Sequence, residues 1–130
     1  MLNSNTVANI DSMSMQVQLF IQCRKLKDLD VFSKSDPICC VYQKRNPKSS
    51  GWETVGKTEM QKNNLNPDFE KSFVLQYYFE KQQPMKFELI DDDGSGSFDI
   101  IGHIETSMGQ IMGSKGQQFV GTLKADGKSD

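Results

Sequence analysis

The chain has 130 residues, 15 lysines and arginines against 17 aspartates and glutamates, and a net charge of −2. This length suits one domain with a single hydrophobic core. The lysines and arginines form no basic run or stripe, which argues against a nucleic-acid partner. No window reaches the ~20 apolar residues of a membrane-spanning helix, and the polar start MLNSNTVANIDS has no signal-peptide core. If the protein meets a membrane, we therefore expect it to do so from the surface.

Alternation of apolar and polar residues predicts short β-strands along the chain. In MQVQLFIQC (15–23), every second residue is apolar, which is typical of a half-buried strand. Further strands are predicted at 37–43, 52–60, 68–79, 85–90, 100–108 and 117–123, with a short helical turn at 109–113. Seven short strands with turn signals between them indicate an all-β fold, an antiparallel β-sandwich.

The domain is expected to span residues 15–124. Residues 1–14 are predicted to form a polar N-terminal tail, and residues 125–130 a C-terminal tail. The three cysteines, Cys23, Cys39 and Cys40, lie in the strand-like runs, and the sequence has no CxxC pair and one histidine. Reduced, buried thiols in the cytoplasm are therefore expected, and not disulfides or a zinc site.

Two acidic clusters follow apolar runs and precede others. Asp30 and Asp36 lie in LKDLDVFSKSDP, and Asp91, Asp93 and Asp99 lie in ELIDDDGSGSFDIIG. Folding can bring both clusters to one end of a sandwich, where carboxylates and backbone carbonyls suit the 6–8 oxygen ligands of Ca²⁺. The alternative is a pair of solvated turns, but five converging like charges repel one another, which favours a bound cation.

Two rival metal motifs overlap the second cluster. The residues from Asp91 imitate an EF-hand loop, but Gly102 stands where that loop needs its bidentate glutamate. Asp93, Ser95 and Ser97 imitate the D-x-S-x-S of a von Willebrand A site, but a strand-like run follows instead of a helix. We also expect no enzyme activity, because the single histidine, His103, lies in a strand-like run with no nucleophile at a suitable spacing.

Three motifs in order resemble a C2 domain: the acidic segment ending in SDP, the LNPDF turn, and the DDDGSGSFDIIG loop. The segments WETVGKTE, QYYFEKQQPMKFEL and TSMGQIM resemble more narrowly the first C2 domain of the copines. The resemblance implies the C2 fold with seven to eight strands in the permuted, type II order. Copines carry two C2 domains and a von Willebrand A-like domain, so we expect this chain to be a piece of a longer protein.

By that resemblance the acidic clusters bind two Ca²⁺ ions. Asp30, Asp91 and Asp93 would be shared between the ions, with Asp99 favouring one and Asp36 the other. The resemblance also implies that Asp92 contributes its backbone carbonyl, and alternation supports this independently, since it turns the Asp92 side chain away from those of Asp91 and Asp93. The last coordination position stays open, because Gly96 between two serines replaces the family's serine or threonine.

The function implied is Ca²⁺-dependent binding of anionic phospholipid membranes, with recruitment from the cytoplasm when Ca²⁺ rises. The expected membrane contacts are Val31, Phe32, Lys34 and Phe98. The alternative is that Val31 and Phe32 are packing residues and that Phe98, beside the strand-like IIG run, belongs to the core. One alternative is a Ca²⁺-independent domain that binds target proteins, and another is the regulatory domain of a membrane-targeted enzyme.

The sequence pattern does not account for one strand of the expected C2 fold. Only the strand at 15–23 precedes Asp30, and LKADGKSD at the end of the chain shows no apolar alternation. The expectation is seven strands, with one sheet edge left to pair with the N-terminal residues or with another chain.

Overall fold

The computed structural model describes residues 13–29, 34–92 and 95–125. It has six strands in these residues, followed by a short helix and a 3-10 turn. They are β1 (Ser14–Leu19), β2 (Pro37–Gln43), β3 (Glu53–Lys57), β4 (Phe73–Tyr78), β5 (Pro84–Asp92), β6 (Phe98–Ser107), α1 (Met108–Gly113) and the 3-10 turn (Lys115–Gln117). All strand pairs are antiparallel, in a two-stranded sheet β1-β4 and a four-stranded sheet β3-β2-β5-β6. The predicted all-β, antiparallel architecture is confirmed.

The core lies between the two sheets and follows the predicted alternation. Met85, Phe87 and Leu89 on β5 are buried, while the residues between them are partly exposed. Val17 on β1 and Leu75 on β4 pair across the smaller sheet and pack against this core. Burial of these side chains supplies the main driving force that joins the sheets.

One predicted strand is wrong, and others are shorter than expected. Residues 117–123 contain no strand: the chain makes a 3-10 turn, in which Gly116 and Gln117 have positive φ values of 66° and 56°. The turn ends at Gln118, whose backbone is extended again, and the residues after it meet β6 at the bridge between His103 and Lys124 without forming a strand. The six strands described are thus fewer than the seven to eight expected.

Strand order also bears on the permuted topology. In residues 13–29 a single strand, β1, precedes the first acidic segment, and the type II order stays a prediction. The helical turn expected at 109–113 is confirmed as α1, with the Ser107 hydroxyl accepting the Gln110 N–H at the helix start. The prediction that one sheet edge pairs with the N-terminal residues or with another chain depends on residues 1–12 and 126–130, which lie outside the described residues.

Cys39 is buried, as predicted, whereas Cys23 and Cys40 are half-buried. Burial raises the pKa of Cys23 to about 11, slightly offset by Arg24, and burial raises the pKa of Cys39 well above its usual range. Cys40 follows the same trend, through burial and the nearby Glu88 carboxylate. All three thiols are free and stay protonated at neutral pH, which lowers their reactivity.

One carboxylate joins β3 to the turn before β4. Glu59 accepts the backbone N–H groups of Glu70 at 2.8 Å and Lys71 at 3.1 Å, and the Gln61 amide at 2.7 Å. Desolvation alone would raise the pKa of Glu59, but these donors outweigh it and lower the pKa from 4.5 to about 2. Because the folded pKa is the lower one, this contribution to stability is present above about pH 4.5 and is lost as the pH falls toward 2.

We expect Glu59→Gln to lower the free energy of unfolding at pH 7 by about 1 kcal/mol, since it weakens hydrogen bonds to a charged acceptor that solvent partly screens. The difference from the unmutated chain should shrink between pH 4.5 and pH 2. Urea unfolding across this range measures it, with the exposed Glu105→Gln as the control. A difference that stays constant with pH would show that the Glu59 charge is not the cause.

Position 102 requires glycine because another part of the backbone passes close to it. A Cβ atom there would lie 2.8 Å from the Lys124 carbonyl oxygen and 3.1 Å from the Leu123 Cβ. The neighbouring His103 exchanges two backbone hydrogen bonds with Lys124, at 2.9 and 2.7 Å. Glycine at position 102 therefore lets the C-terminal segment pair with β6.

We predict that Gly102→Ala destabilises the domain by about 1–3 kcal/mol, because the added methyl group forces the backbone at Lys124 to move. Gly113→Ala is the control, since a Cβ at Gly113 meets nothing within 4 Å among the described residues. Thermal unfolding of both variants tests this. Equal midpoints for the two would contradict the packing argument.

Candidate functional site

Strand register places three aspartates at one end of the four-stranded sheet. Asp91 on β5 pairs with Pro37 on β2 and with Asp99 on β6, and Asp36 directly precedes Pro37. Side chains at directly opposed positions have Cβ atoms about 5 Å apart. We call the end of the sandwich that carries Asp36, Asp91 and Asp99 the acidic rim.

Asp91 connects the two acidic segments. It continues the inward row of β5 and is only 2% exposed. Its Oδ1 accepts the backbone N–H of Asp36 at 2.8 Å, and the Asp36 carbonyl accepts the N–H of Asp92 at 3.2 Å. The first acidic segment is therefore bound to the end of β5 by a buried carboxylate and a backbone bond.

Asp92 lies on the other face of β5. Its side chain lines a shallow cavity on the outer face of the four-stranded sheet, together with Ile38, Tyr42, Glu88 and Phe98. Asp91 does not line this cavity, so the two neighbouring aspartates point to opposite faces, as alternation along a strand requires. Asp99 on β6 is exposed at the rim.

The first acidic segment is also fixed at its base. Ser35 is fully buried, and its hydroxyl donates to the Lys27 carbonyl at 3.2 Å and accepts the Leu29 N–H at 3.0 Å. Asp36 Oδ1 accepts the N–H of Asn63, at 2.7 Å, from the loop after β3. Sequence reasoning identified neither contact. A serine before Asp-Pro is a weak signal for such a local hydrogen bond, and the sequence holds no signal for the contact to Asn63.

Four of the predicted site residues lie outside the described residues: Asp30, Val31, Phe32 and Asp93. Among the residues that are described, no three histidine, cysteine, aspartate or glutamate side chains form a group that could hold a metal ion. The described part of the rim therefore contributes one carboxylate from each neighbouring strand end. Carboxylate oxygens are the hard donors that Ca²⁺ prefers.

Two of the residues predicted to contact a membrane are described by the structure, and both are exposed to solvent. Phe98, opposite Asp92 at the start of β6, is 56% exposed, and Lys34 is exposed beside the first acidic segment. An apolar ring exposed beside the acidic rim is available for contact with a partner or a membrane. In the described stretches, no helix is long and apolar enough to cross a bilayer.

Lysines and aromatic rings cluster toward the opposite end of the outer face. The Lys44 ammonium lies 4.6 Å from the centre of the Trp52 ring, and that of Lys86 lies 4.9 Å from Tyr42 and 5.4 Å from Trp52. Cation–π attraction holds the ammonium groups over the rings. We call these four residues the lysine–aromatic cluster. The sequence alone did not predict this cluster, because its residues are far apart in the chain and meet only through the pairing of β2, β3 and β5.

The sequence profile of the C2 domain matches residues 15–123. The chain belongs to the C2 domain family, and the fold and family predicted from the sequence are confirmed.

Similar proteins include copines. The chain is 42% identical over 117 residues to Copine-E of Dictyostelium discoideum, which covers 87% of the chain and 20% of the relative. Copine-B of the same organism is 38% identical, over 87% of the chain and 22% of that protein. Nicotinic receptor-associated protein 1 of Caenorhabditis elegans is 37% identical, over 82% of the chain and 20% of that protein. The chain therefore spans about a fifth of the length of these relatives. The resemblance to copines is confirmed, and correspondence to the first of their C2 domains stays a prediction.

Solved structures agree with the family. The chain is similar to BON1-C2B with a TM-score of 0.63 and 28% identity, covering 85% of this chain and 77% of that one. A C2 domain of plant Extended Synaptotagmin 1 gives a TM-score of 0.57 at 18% identity, covering 71% and 67% of the two chains, which supports the fold alone.

Proposed function

We propose that this C2 domain is a binding module that takes up Ca²⁺ at the acidic rim and then attaches to anionic phospholipid membranes. One observation supports this most: Asp36, Asp91 and Asp99 lie at the same end of three adjacent strands. The ligand set would be completed by Asp30, Asp93 and the backbone carbonyl of Asp92, for two ions.

Charge repulsion at the rim favours a cation there. Asp91 and Asp99 are cross-strand partners, and like charges directly opposite one another destabilise a sheet. Asp91 is also almost fully buried, where an ionised carboxylate is poorly hydrated. A bound cation would offset the repulsion and would add to the hydrogen bond from the Asp36 N–H in compensating the burial of Asp91.

The residues around the rim suit a membrane surface. Bound Ca²⁺ would neutralise the carboxylates and offer open coordination positions to the phosphate oxygens of anionic lipids. Lys34 would attract the same phosphates, and Phe98 would bury its ring in the interface. Val31 and Phe32, which follow Asp30 in the sequence, are proposed to insert beside them. Binding would then follow a rise of cytoplasmic Ca²⁺.

The metal step is tested on two neighbouring residues. Millimolar Ca²⁺ should raise the thermal midpoint of the unmutated chain, because a ligand at a hundredfold excess over its Kd stabilises the folded state by about 2.7 kcal/mol. Asp91→Asn should remove most of this rise, since the amide keeps an acceptor for the Asp36 N–H but carries no charge. Asp92→Asn, the matched control, should keep most of the rise, because Asp92 is proposed to contribute only its backbone carbonyl.

The possible results of this Ca²⁺ test distinguish between the metal site itself and the role of each aspartate. A midpoint that Ca²⁺ does not move in the unmutated chain would refute the metal site. Equal losses in the two variants would leave the metal site standing but contradict the distinction between a side-chain ligand at Asp91 and a backbone-carbonyl ligand at Asp92, and a full rise in Asp91→Asn would contradict the assignment of Asp91 as a ligand.

The membrane step is tested with a matched pair of phenylalanines. Phe98→Ala should weaken Ca²⁺-dependent co-sedimentation with phosphatidylserine vesicles roughly tenfold, because it removes the buried area of one aromatic ring. Phe79, which is 48% exposed just after β4, lies at the other end of the sandwich, so Phe79→Ala should leave vesicle binding unchanged. Vesicle binding that is equally strong in excess chelator would show that Ca²⁺ does not control it.

A second candidate is Ca²⁺-independent binding of a target protein. It is favoured by the lysine–aromatic cluster, because aromatic side chains are enriched in protein interfaces, and by a relative that is named for its association with a nicotinic receptor. Partner binding that persists in excess chelator and is lost in Trp52→Ala would support this candidate.

A further inference from the structure

The loop after β3 runs beside the first acidic segment and donates three backbone hydrogen bonds to it. The N–H of Gln61 reaches the Pro37 carbonyl at 3.0 Å, and that of Asn64 reaches the Ser35 carbonyl at 3.1 Å. Between them, the N–H of Asn63 reaches a side chain, Asp36 Oδ1, at 2.7 Å. The bonds from Gln61 and Asn64 join the loop to the backbone of the acidic segment. The bond from Asn63 goes to a side chain instead, so it can orient the Asp36 carboxylate.

Asp36 is consequently fixed from two directions. Asp91 and Asp92 bind its backbone from β5, while Asn63 binds its side chain from the loop after β3. A hydrogen bond from a backbone N–H to a carboxylate is charge-assisted and therefore short and directional. The Asp36 carboxylate is thus oriented before any cation arrives, which lowers the ordering cost of binding one.

The direction of this N–H depends on an unusual backbone conformation. Asn63 has a φ of 53°, in the left-handed region. Asparagine and glycine tolerate that region, whereas β-branched residues are strained in it. The residue type at position 63 therefore decides how readily the loop presents its N–H to Asp36, although the donor itself belongs to the main chain.

We propose that Asn63 is a positioning residue for the acidic rim: its left-handed backbone orients the Asp36 carboxylate for cation binding. The inference rests on the proposed Ca²⁺ function and extends it to a residue outside the two acidic clusters. Asn63 acts through Asp36, in the way that outer-shell partners orient metal ligands and tune affinity.

Calorimetric Ca²⁺ titrations of three variants test the proposal. Asn63→Val should weaken Ca²⁺ affinity by about tenfold or more, the usual effect of losing an outer-shell partner. Asn63→Gly should keep the affinity within a few fold, because glycine retains both the N–H and the left-handed conformation. Gln117→Val is the control for backbone strain alone: Gln117 also has a positive φ of 56°, but it follows α1 at the opposite end of the sandwich.

Each result decides between explanations. If Asn63→Val binds Ca²⁺ as tightly as the unmutated chain, the positioning role is wrong while the Ca²⁺ function stands. If Asn63→Gly loses as much affinity as Asn63→Val, the side chain and not the backbone N–H is what matters, and the proposal is overturned. If the unmutated chain binds no Ca²⁺, the proposed function fails and the inference falls with it.

A second measurement needs no metal. In metal-free protein, Asp36→Ala should speed amide hydrogen exchange at residue 63 severalfold, because it removes the acceptor of that N–H. Asp99→Ala should leave that exchange rate unchanged, although it removes the same charge from the same rim. Unchanged exchange in Asp36→Ala would show that the bond to Asn63 does not orient Asp36 in solution.

Discussion

The acidic rim depends on one buried carboxylate. β5 lies in the interior of the four-stranded sheet, and every second side chain along it points into the core. The last inward position belongs to Asp91, so an ionisable group lies where an apolar one would pack. Burial of an ionised carboxylate is costly unless it is hydrogen-bonded or paired. Asp91 is bonded to the Asp36 N–H, which ties the two acidic segments together and sets the position of the rim.

The sheets were predictable because their signal is local. Alternation in MKFELI fixes which residues of β5 face the core, and the same rule separates Asp91 from Asp92. The segment at 117–123 alternates less strictly, and its strand was wrongly predicted: the left-handed Gln117 still belongs to the 3-10 turn, and the residues after it form no strand before the bridge at Lys124. Left-handed backbone at glutamine leaves no mark in an apolar pattern, so composition alone could not identify it.

The site could be predicted only in part, for a related reason. Aspartate clusters are visible in the sequence, and antiparallel connection between strands brings them to one end. The groups that orient them are not visible: the contacts of Asn63 and Ser35 are hydrogen bonds that involve the main chain, which every residue carries. Glu59 is a comparable case, since its partners at Glu70 and Lys71 are backbone N–H groups more than ten positions away. Such contacts follow from the path of the loops and emerge only with the fold.

We propose that the acidic rim, as the strands and hydrogen bonds arrange it, is the place where this domain takes up Ca²⁺. A ¹H–¹⁵N correlation NMR titration of the metal-free chain with Ca²⁺ tests it most directly, because it reports on each residue separately. We predict large, saturable shifts at the amides of Asp36, Asn63, Asp92 and Asp99, and small ones in the Lys115–Gln117 turn at the other end. Shifts that are absent, or that are spread evenly over the exposed carboxylates without saturating, would contradict it.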